Sequence, residues 1–377
     1  MIVRIPLSAP DITEDEIEAV SSVLRTSSLS LGPRLEEFEA LLAERHGAES
    51  AIAVSSGTAA LHLATRALNI GNQDEVIVPS FTFIAVSNAL LYEGAVPVFV
   101  DIDPVTLNMN PAQVEAAITS RTRAILVVHT FGIPADMDVL CEIAERHHLY
   151  VIEDACEAIG ATFHGRSVGT FGDIGVFGFY PNKQITTGEG GALLVRDGRV
   201  AKRVRAMRNQ GRYPTEDWFQ HREIGFNYRL SELSCALGTA QLKRLGSILA
   251  ARAKVAAQYR QRLLELSAIQ CPVAEYEDRT ISWFVYVVRI AEHAPDGLRD
   301  RVMARLFEQG IASGRYFAPI HCQPAYEAFT QKHRSHLPIT ESVAQRTLAL
   351  PFFNRMTSAQ VENVSEAIIS IMREEMR

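Results

Sequence analysis

No apolar run in this 377-residue chain approaches the ~20 residues that a membrane-spanning helix needs. The N-terminal "MIVRIPLSAPDITEDE" also lacks the apolar core of a signal peptide. Cysteine is scarce: the five residues Cys141, Cys156, Cys235, Cys271 and Cys322 are odd in number and show no C-x-x-C spacing. That pattern leaves no disulfide framework and reads as reduced thiols in a cytoplasmic protein. Positive charge is short as well, with 37 Lys and Arg against 44 Asp and Glu, a net charge of −7. The balance argues against a general nucleic-acid or membrane-surface role, while leaving room for a local basic pocket that takes an anionic ligand. The chain contains no G-x-x-x-x-G-K-[ST], no G-x-G-x-x-G and no H-E-x-x-H, so P-loop, dinucleotide and zincin readings lack support. His147 and His148 are adjacent on an expected helix and read as surface residues, and no metal site is expected.

What is present is an ordinary globular balance, 47 % hydrophobic and 21 % charged, with ample material for a core. From about residue 50 to 196 short apolar runs alternate with helix-like segments. The strand candidates are "AIAVS" (51–55), "EVIVPS" (75–80), "PVFVDID" (97–103), "RAILVVHT" (123–130), "YVIEDA" (150–155), "IGVFGFY" (174–180) and "GGALLVR" (190–196). Strands this continuously apolar are buried on both faces, and the alternation implies a mostly parallel sheet covered by helices, an α/β fold. Ligands of such sheets sit outside the carboxyl ends of the strands. "TEDE" (13–16) is a capping-box pattern that opens an N-terminal helix. Residues 231–267 read as a long helix, broken near Gly246. A smaller α+β unit follows, with strands at 281–290 and 311–317, a helix over 298–310 and a last helix from about Thr357. The division expected is a large domain of residues 1–245, including the N-terminal helical segment, and a small C-terminal domain of residues 246–377.

Three features carry chemistry. In "VSSGTAALHLA" (54–64) a strand ends and Ser55, Ser56, Gly57 and Thr58 lead straight into a helix. Such a start is either a phosphate site, built from free N–H groups and the helix dipole, or simply a well-capped helix. "YVIEDA" ends a buried strand with two carboxylates, Glu153 and Asp154, which the pleat turns to opposite faces. One of them caps the following helix or meets a cation in the crevice. In "FGFYPNKQITTGEGG" (177–191) Lys183 stands among aromatic, glycine and threonine residues. Between Gly175 and Val195 the only other charged side chain is Glu189. It is either a surface lysine on a glycine-rich turn or a reactive amine, for which partial burial and few competing carboxylates are suited. In combination, a phosphate cradle, a strand-end acid and this lysine are the three anchors that pyridoxal phosphate requires.

The ordered motifs "SSGTAALHLA", "DEVIVPSFTFIA", "PVFVDID", "VIEDACEAIGA", "VGTFGDIGVFGFYPNKQITTGEGG" and "GFNYRLSE" resemble the DegT/DnrJ/StrS family, from about residue 10 to the C-terminus. The resemblance implies a fold-type-I pyridoxal-phosphate transferase with a mostly parallel central sheet and a smaller C-terminal α+β domain. It implies an aminotransferase that carries an amino group, with L-glutamate as donor, to a nucleotide-diphospho-keto-sugar in amino-sugar biosynthesis. The pyridoxamine form of the cofactor is the intermediate carrier. The same chemistry on a keto-cyclitol or other non-nucleotide ketone, and a non-catalytic ligand sensor, stand as alternatives. By resemblance Lys183 forms the Schiff base and shuttles the proton, Asp154 pairs with the ring nitrogen, and Glu157 lies near the 3-hydroxyl. Phe83 stacks on the ring, and Gly57 and Thr58 hold the phosphate. Asn227 reaches the phosphate from the partner subunit of a homodimer with shared sites. Phe83 has the alternative of plain core packing, and Asn227 that of a turn. Ser30, Gly32, Arg229, Arg315, Tyr316 and His321 are candidates for substrate contacts. One departure stands out: many relatives read "FSF" where this chain reads "FGF", so Gly178 lacks a hydroxyl that often binds the phosphate.

Overall fold

The computed structural model describes residues 4–213, 217, 219–327, 329 and 336–376. The strands are β1 (Ala51–Val54), β2 (Glu75–Pro79), β3 (Val96–Val100), β4 (Thr122–Val128), β5 (Tyr150–Asp154), β6 (Thr162–Phe163), β7 (Arg166–Ser167), β8 (Ile174–Gly178), β9 (Gly191–Val195), β10 (Ile269–Gln270), β11 (Arg279–Thr280), β12 (Tyr286–Ile290) and β13 (Thr347–Leu350). The first half of the chain supplies the helices α1 (Glu14–Leu24), α2 (Pro33–His46), α3 (Gly57–Ala67), α4 (Ala85–Tyr92), α5 (Pro111–Ala116), α6 (Met137–Arg146) and α7 (Gly198–Arg208). The second half supplies α8 (Glu232–Lys243), α9 (Leu245–Leu263), α10 (Leu298–Glu308), α11 (Pro338–Arg346) and α12 (Ser358–Glu375).

Seven strands form the central sheet in the order β1-β9-β8-β5-β4-β2-β3. The pairs β2·β3, β2·β4, β4·β5 and β5·β8 are parallel, and β9 alone runs antiparallel between β8 and β1. All seven strands expected between residues 51 and 196 are therefore present. Their two-sided burial follows from the pleat: Ile52, Val76, Val78, Leu126 and Ile152 pack under α3, α4 and α7. Their neighbours Ile77, Ile125, Val127 and Val151 pack under α5 and α6. Each fully buried aliphatic side chain contributes roughly 1.5–3 kcal/mol. The parallel order sends the carboxyl ends of β1, β2, β4, β5 and β8 to one edge, where the loops are free to form a site.

The capping box at the start of α1 forms, with the Thr13 N–H donating to Glu16 Oε2 at 2.6 Å. The break expected near Gly246 is present and falls at Arg244, whose guanidinium is held by Glu16 and Asp11 of the N-terminal segment at 2.7 and 3.1 Å. Gly246 lies in the first turn of α9, where intrahelical N–H bonds are not yet needed. Residues 311–317 are not a strand: only isolated bridges form, Ile311 with Ile5 and Gly314 with Ala349. Tyr316 and Phe317 turn instead into an aromatic cluster with Phe81, Phe131 and Phe284. The 281–290 run divides likewise, with only Tyr286–Ile290 in β12. A second small sheet, β10-β12-β13, is flanked by α10 and α12. Among the described residues no helix is long and apolar enough to cross a membrane.

Candidate active site

The pleat of β5 separates its two terminal acids. Glu153 faces α6 and is fully buried, its carboxylate accepting Gly169 N–H (2.7 Å), Gly172 N–H (2.6 Å) and the imidazole Nε2 of His129 (3.0 Å). The His129 tautomer is fixed by the Ala135 N–H donating to Nδ1 at 3.1 Å. Glu153 is thus spent on tying the loop after β5 to the sheet. Asp154 faces the crevice. One oxygen, Oδ1, accepts the Cys156 N–H at 3.0 Å, and Oδ2 has no hydrogen bond among the described residues. A carboxylate oxygen held at a strand end with a lone pair to spare suits a cationic ring nitrogen.

Lys183 belongs to the loop after β8, which folds on itself: Lys183 N–H donates to Tyr180 O (2.9 Å) and Thr187 N–H to Phe179 O (3.0 Å). Gly188 turns the loop back with φ +80°, a backbone that L side chains rarely adopt. The Lys183 ammonium stands 3.6 Å from Glu157 Oε1 and 4.0 Å above the ring of Phe284. Gln184 next to it donates Nε2–H to Glu157 O (2.6 Å) and Ser282 Oγ (2.9 Å), locking the lysine loop to the Glu157 segment. Glu157 Oε2 accepts the Phe131 N–H at 3.0 Å. Burial pushes the Glu157 carboxyl above the ordinary carboxylate range, and Lys183 works against that rise. The amine therefore has one buried counter-ion and an aromatic face beside it.

The candidate phosphate site lies at the start of α3. Ser56 is the N-cap, its Oγ accepting Ala59 N–H at 3.0 Å, and the first intrahelical bond runs from Ala60 N–H to Ser56 O. The Gly57 and Thr58 amides come before that bond and point at the helix's positive end. A Cβ on Gly57 would lie 3.1 Å from Cys156 Sγ and 3.4 Å from Gly178 Cα, so backbone lines the recess. Phe83, in the loop between β2 and α4, is 62 % exposed, which removes the plain-core alternative.

The remaining expected residues fall into two groups. Tyr316 joins the lysine: its phenol is shifted upward by burial and then by the Glu157 charge, and it lies beside Asn182. His321 is anchored elsewhere, with Nδ1 2.7 Å from Ser80 Oγ and Nε2 3.3 Å from Glu341. Arg315 turns to Asp300 of α10 at 3.0 Å. Ser30, Gly32, Asn227 and Arg229 gather around the start of α8. Ser30 bridges Ser231, Gly32 N–H donates to Glu232 Oε1 (3.0 Å), Asn227 bridges Asn209, and Arg229 donates to Asn209 Oδ1 (3.0 Å). Asn227 is exposed. The strip they flank touches the phosphate turn where Ser55 N–H donates to Tyr228 O at 2.9 Å.

Sequence reasoning missed Phe284 and Cys156. Phe284 reads as mid-strand in "ISWFVYVVRI". In the fold Phe131 and Trp283 take φ +57° and +49°, and the buried Arg252 holds the Trp283 and Phe284 carbonyls at 2.7 and 2.6 Å. Left-handed backbone at bulky residues is costly and persists where the surroundings demand it. Here it aims the Phe284 ring at Lys183. No periodicity signals such a ring.

The family model described as the DegT/DnrJ/EryC1/StrS aminotransferase family matches residues 10–369. GDP-perosamine synthase of Caulobacter vibrioides is 41 % identical over 98 % of this chain and 98 % of its own. UDP-N-acetyl-3-dehydro-alpha-D-glucosamine 3-aminotransferase of Acidithiobacillus ferrooxidans is 37 % identical over 95 % and 94 %. The PLP form of the putative sugar aminotransferase Spr1654 from Streptococcus pneumoniae superposes with a TM-score of 0.92 at 27 % identity, covering 99 % and 100 %. The chain belongs to the DegT/DnrJ/EryC1/StrS aminotransferase family and has its fold.

Proposed function

We propose that this aminotransferase uses pyridoxal phosphate to move an amino group from an amino-acid donor, L-glutamate, to the ketone of a nucleotide-diphospho-keto-sugar. The observation that carries the reading is the meeting of Lys183 with Glu157 and Phe284 beside Asp154, at the carboxyl edge of the sheet. The names of the two curated relatives, a GDP-sugar and a UDP-sugar enzyme, support the substrate class.

The residues fit the cofactor: a recess that a Cβ would fill, free amides at a helix start, a strand-end carboxylate with a spare oxygen, and a lysine. When bound, the cofactor supplies an electron sink for the carbon that exchanges its proton and amine. Gly57 and Thr58 would hold the phosphate through their N–H groups. Asp154 would sit against the ring nitrogen and favour its protonated form. Glu157, its carboxyl shifted upward by burial, would face the ring's oxygen substituent. Phe83 would cover one ring face and exclude water. Lys183 would supply the amine for the covalent link and would serve as the acid–base group beside the reacting carbon. Tyr316, close to Glu157, would face the substrate, and Arg315 and His321 of the same segment are the further candidates for contacts with it.

Two subunits complete each site in this reading: Ser30, Gly32, Asn227 and Arg229 serve the neighbouring subunit of a cytoplasmic homodimer. Residues 1–245 form the cofactor-binding part and residues 246–377 the smaller part that closes over substrate. The test is incubation of the purified enzyme with cofactor, glutamate and a panel of nucleotide keto-sugars and keto-cyclitols, followed by mass spectrometry. An aminated nucleotide sugar is expected. Amination of a cyclitol alone would overturn the substrate class, and absence of imine absorbance with unmodified Lys183 after borohydride would overturn the cofactor.

A further inference from the structure

Gly178 ends β8 and Gly57 begins α3, and they face each other across one side chain, that of Cys156. A Cβ placed on Gly178 would lie 3.1 Å from Cys156 Sγ and 3.4 Å from its Cβ. A Cβ on Gly57 would meet the same sulfur at 3.1 Å. Contacts that short force the neighbour to move, and here the neighbour is a thiol wedged between two backbones. Neither glycine has a positive φ, so neither is needed for its conformational freedom. Both are glycine because the sulfur occupies the room.

The thiol's partners are its own neighbours: Val176 O is 3.9 Å away, at the outer limit for sulfur, and the Asp154 side chain, which also accepts the Cys156 N–H, is its other acceptor. Burial, and then the Asp154 charge, push its pKa far up, so it keeps its proton and remains a donor. It follows Asp154 by two residues, and Asp154, Glu157 and Lys183 all act on it electrostatically. Beside it stand the Gly57 and Thr58 amides, which precede the first bond of α3.

We propose that Cys156 and Gly178 are a matched pair: the Cys156 S–H takes over the phosphate contact that a side-chain hydroxyl at position 178 would make, and Gly178 is the space that lets it do so. This rests on the cofactor reading above. The pair makes this chain's phosphate recess complete in a way that the missing hydroxyl alone does not show.

The test is a double-mutant cycle read by pyridoxal-phosphate affinity, from absorbance titration of cofactor-stripped protein, with the melting temperature of the stripped protein alongside. Cys156→Ala is expected to raise Kd about 3–10-fold, the loss of one hydrogen bond. Gly178→Ser alone is expected to raise it further, because its Cβ collides with the sulfur. The double variant Cys156→Ala/Gly178→Ser is expected to return to within about threefold of wild type, and Cys156→Ser to within about twofold, since each restores a donor with room to stand. The proposal is overturned if Cys156→Ala binds as wild type does, or if the two single effects simply add. It is equally overturned if the stripped proteins lose melting temperature while every Kd is unchanged, which is a packing role only. Wild type serves as the separate check on the cofactor reading. Wild type without imine absorbance sinks that reading, whereas wild-type binding with an additive cycle sinks only the pair.

Discussion

Lys183 meets Glu157 and the Phe284 ring at comparable distance, 3.6 and 4.0 Å. Neither contact is a tight, exposed ion pair, and that balance suits an amine that gives up its proton to form a bond. Lys183→Ala is expected to lower kcat by about 10²–10⁴-fold or more while leaving the melting temperature within a few degrees. Steady-state kinetics and calorimetry on the same preparation check both halves, and substantial turnover in that variant refutes the assignment. Phe284→Leu keeps an apolar side chain, although a smaller one, and removes the π-face. It is expected to weaken the hold on the ammonium by about 0.5–2 kcal/mol, seen as a shift in the pH titration of imine absorbance. An unchanged titration would show the ring to be packing alone. Glu153 teaches the opposite lesson: next to Asp154 in the chain, it is fully used by Gly169, Gly172 and His129 on the other face.

At the scale of elements, one carboxylate holds a helix start from a distance and a second holds the start of its own helix. Glu232, at the first position of α8, accepts the N–H groups of Gly32 (3.0 Å), Arg34 (2.8 Å) and Leu35 (3.0 Å), capping α2 about 200 residues away. Glu232→Ala leaves buried amides unpaired and is expected to destabilise the fold by about 1–3 kcal/mol in urea unfolding. Because Ser30 and Gly32 border that cap, KM for the sugar is expected to rise more than kcat falls. Glu16 is the second. Burial opposes its charge, yet hydrogen bonds from Thr13, Arg244 and Gln241 bring its pKa down to about 2. A carboxyl lower in the folded than in the unfolded state stabilises above the unfolded value and loses that stabilisation as pH falls through the folded one. The contribution of Glu16 is therefore complete above about pH 4.5 and disappears toward pH 2. Glu16→Gln is expected to flatten the fall of melting temperature across that window, and a curve parallel to wild type would contradict the role.

At the scale of the molecule, Ser30, Gly32, Asn227 and Arg229 lie together around α8 and Asn209, apart from the contacts that surround Lys183. The homodimer with shared sites proposed above would give this grouping its purpose. Mixing Lys183→Ala subunits with Asn227→Asp subunits is expected to restore activity in about a quarter of the sites, since each mixed dimer holds one site with both residues intact. Two inactive parents that stay inactive after mixing would place each site within one chain.

Much of this was legible in the residues. Unbroken apolar runs such as "RAILVVHT" announce strands buried on both faces, because only a parallel sheet under helices can hide them. "SSGT" before a helical pattern announces a capped start with spare amides, and the order cradle, acid, lysine announces the chemistry. What the sequence could not decide was anything set by two distant segments meeting. Periodicity speaks of one element and its own face. It does not say that Arg252 holds the Phe284 carbonyl, that 311–317 turns into an aromatic cluster instead of a ladder, or that Asp11 and Glu16 hold Arg244 at the break after α8. The sequence by itself determined the sheet, its helices and the lysine proposed to react. Only the tertiary structure decided what stands over that amine, and which sulfur fills the space where Gly178 has no side chain.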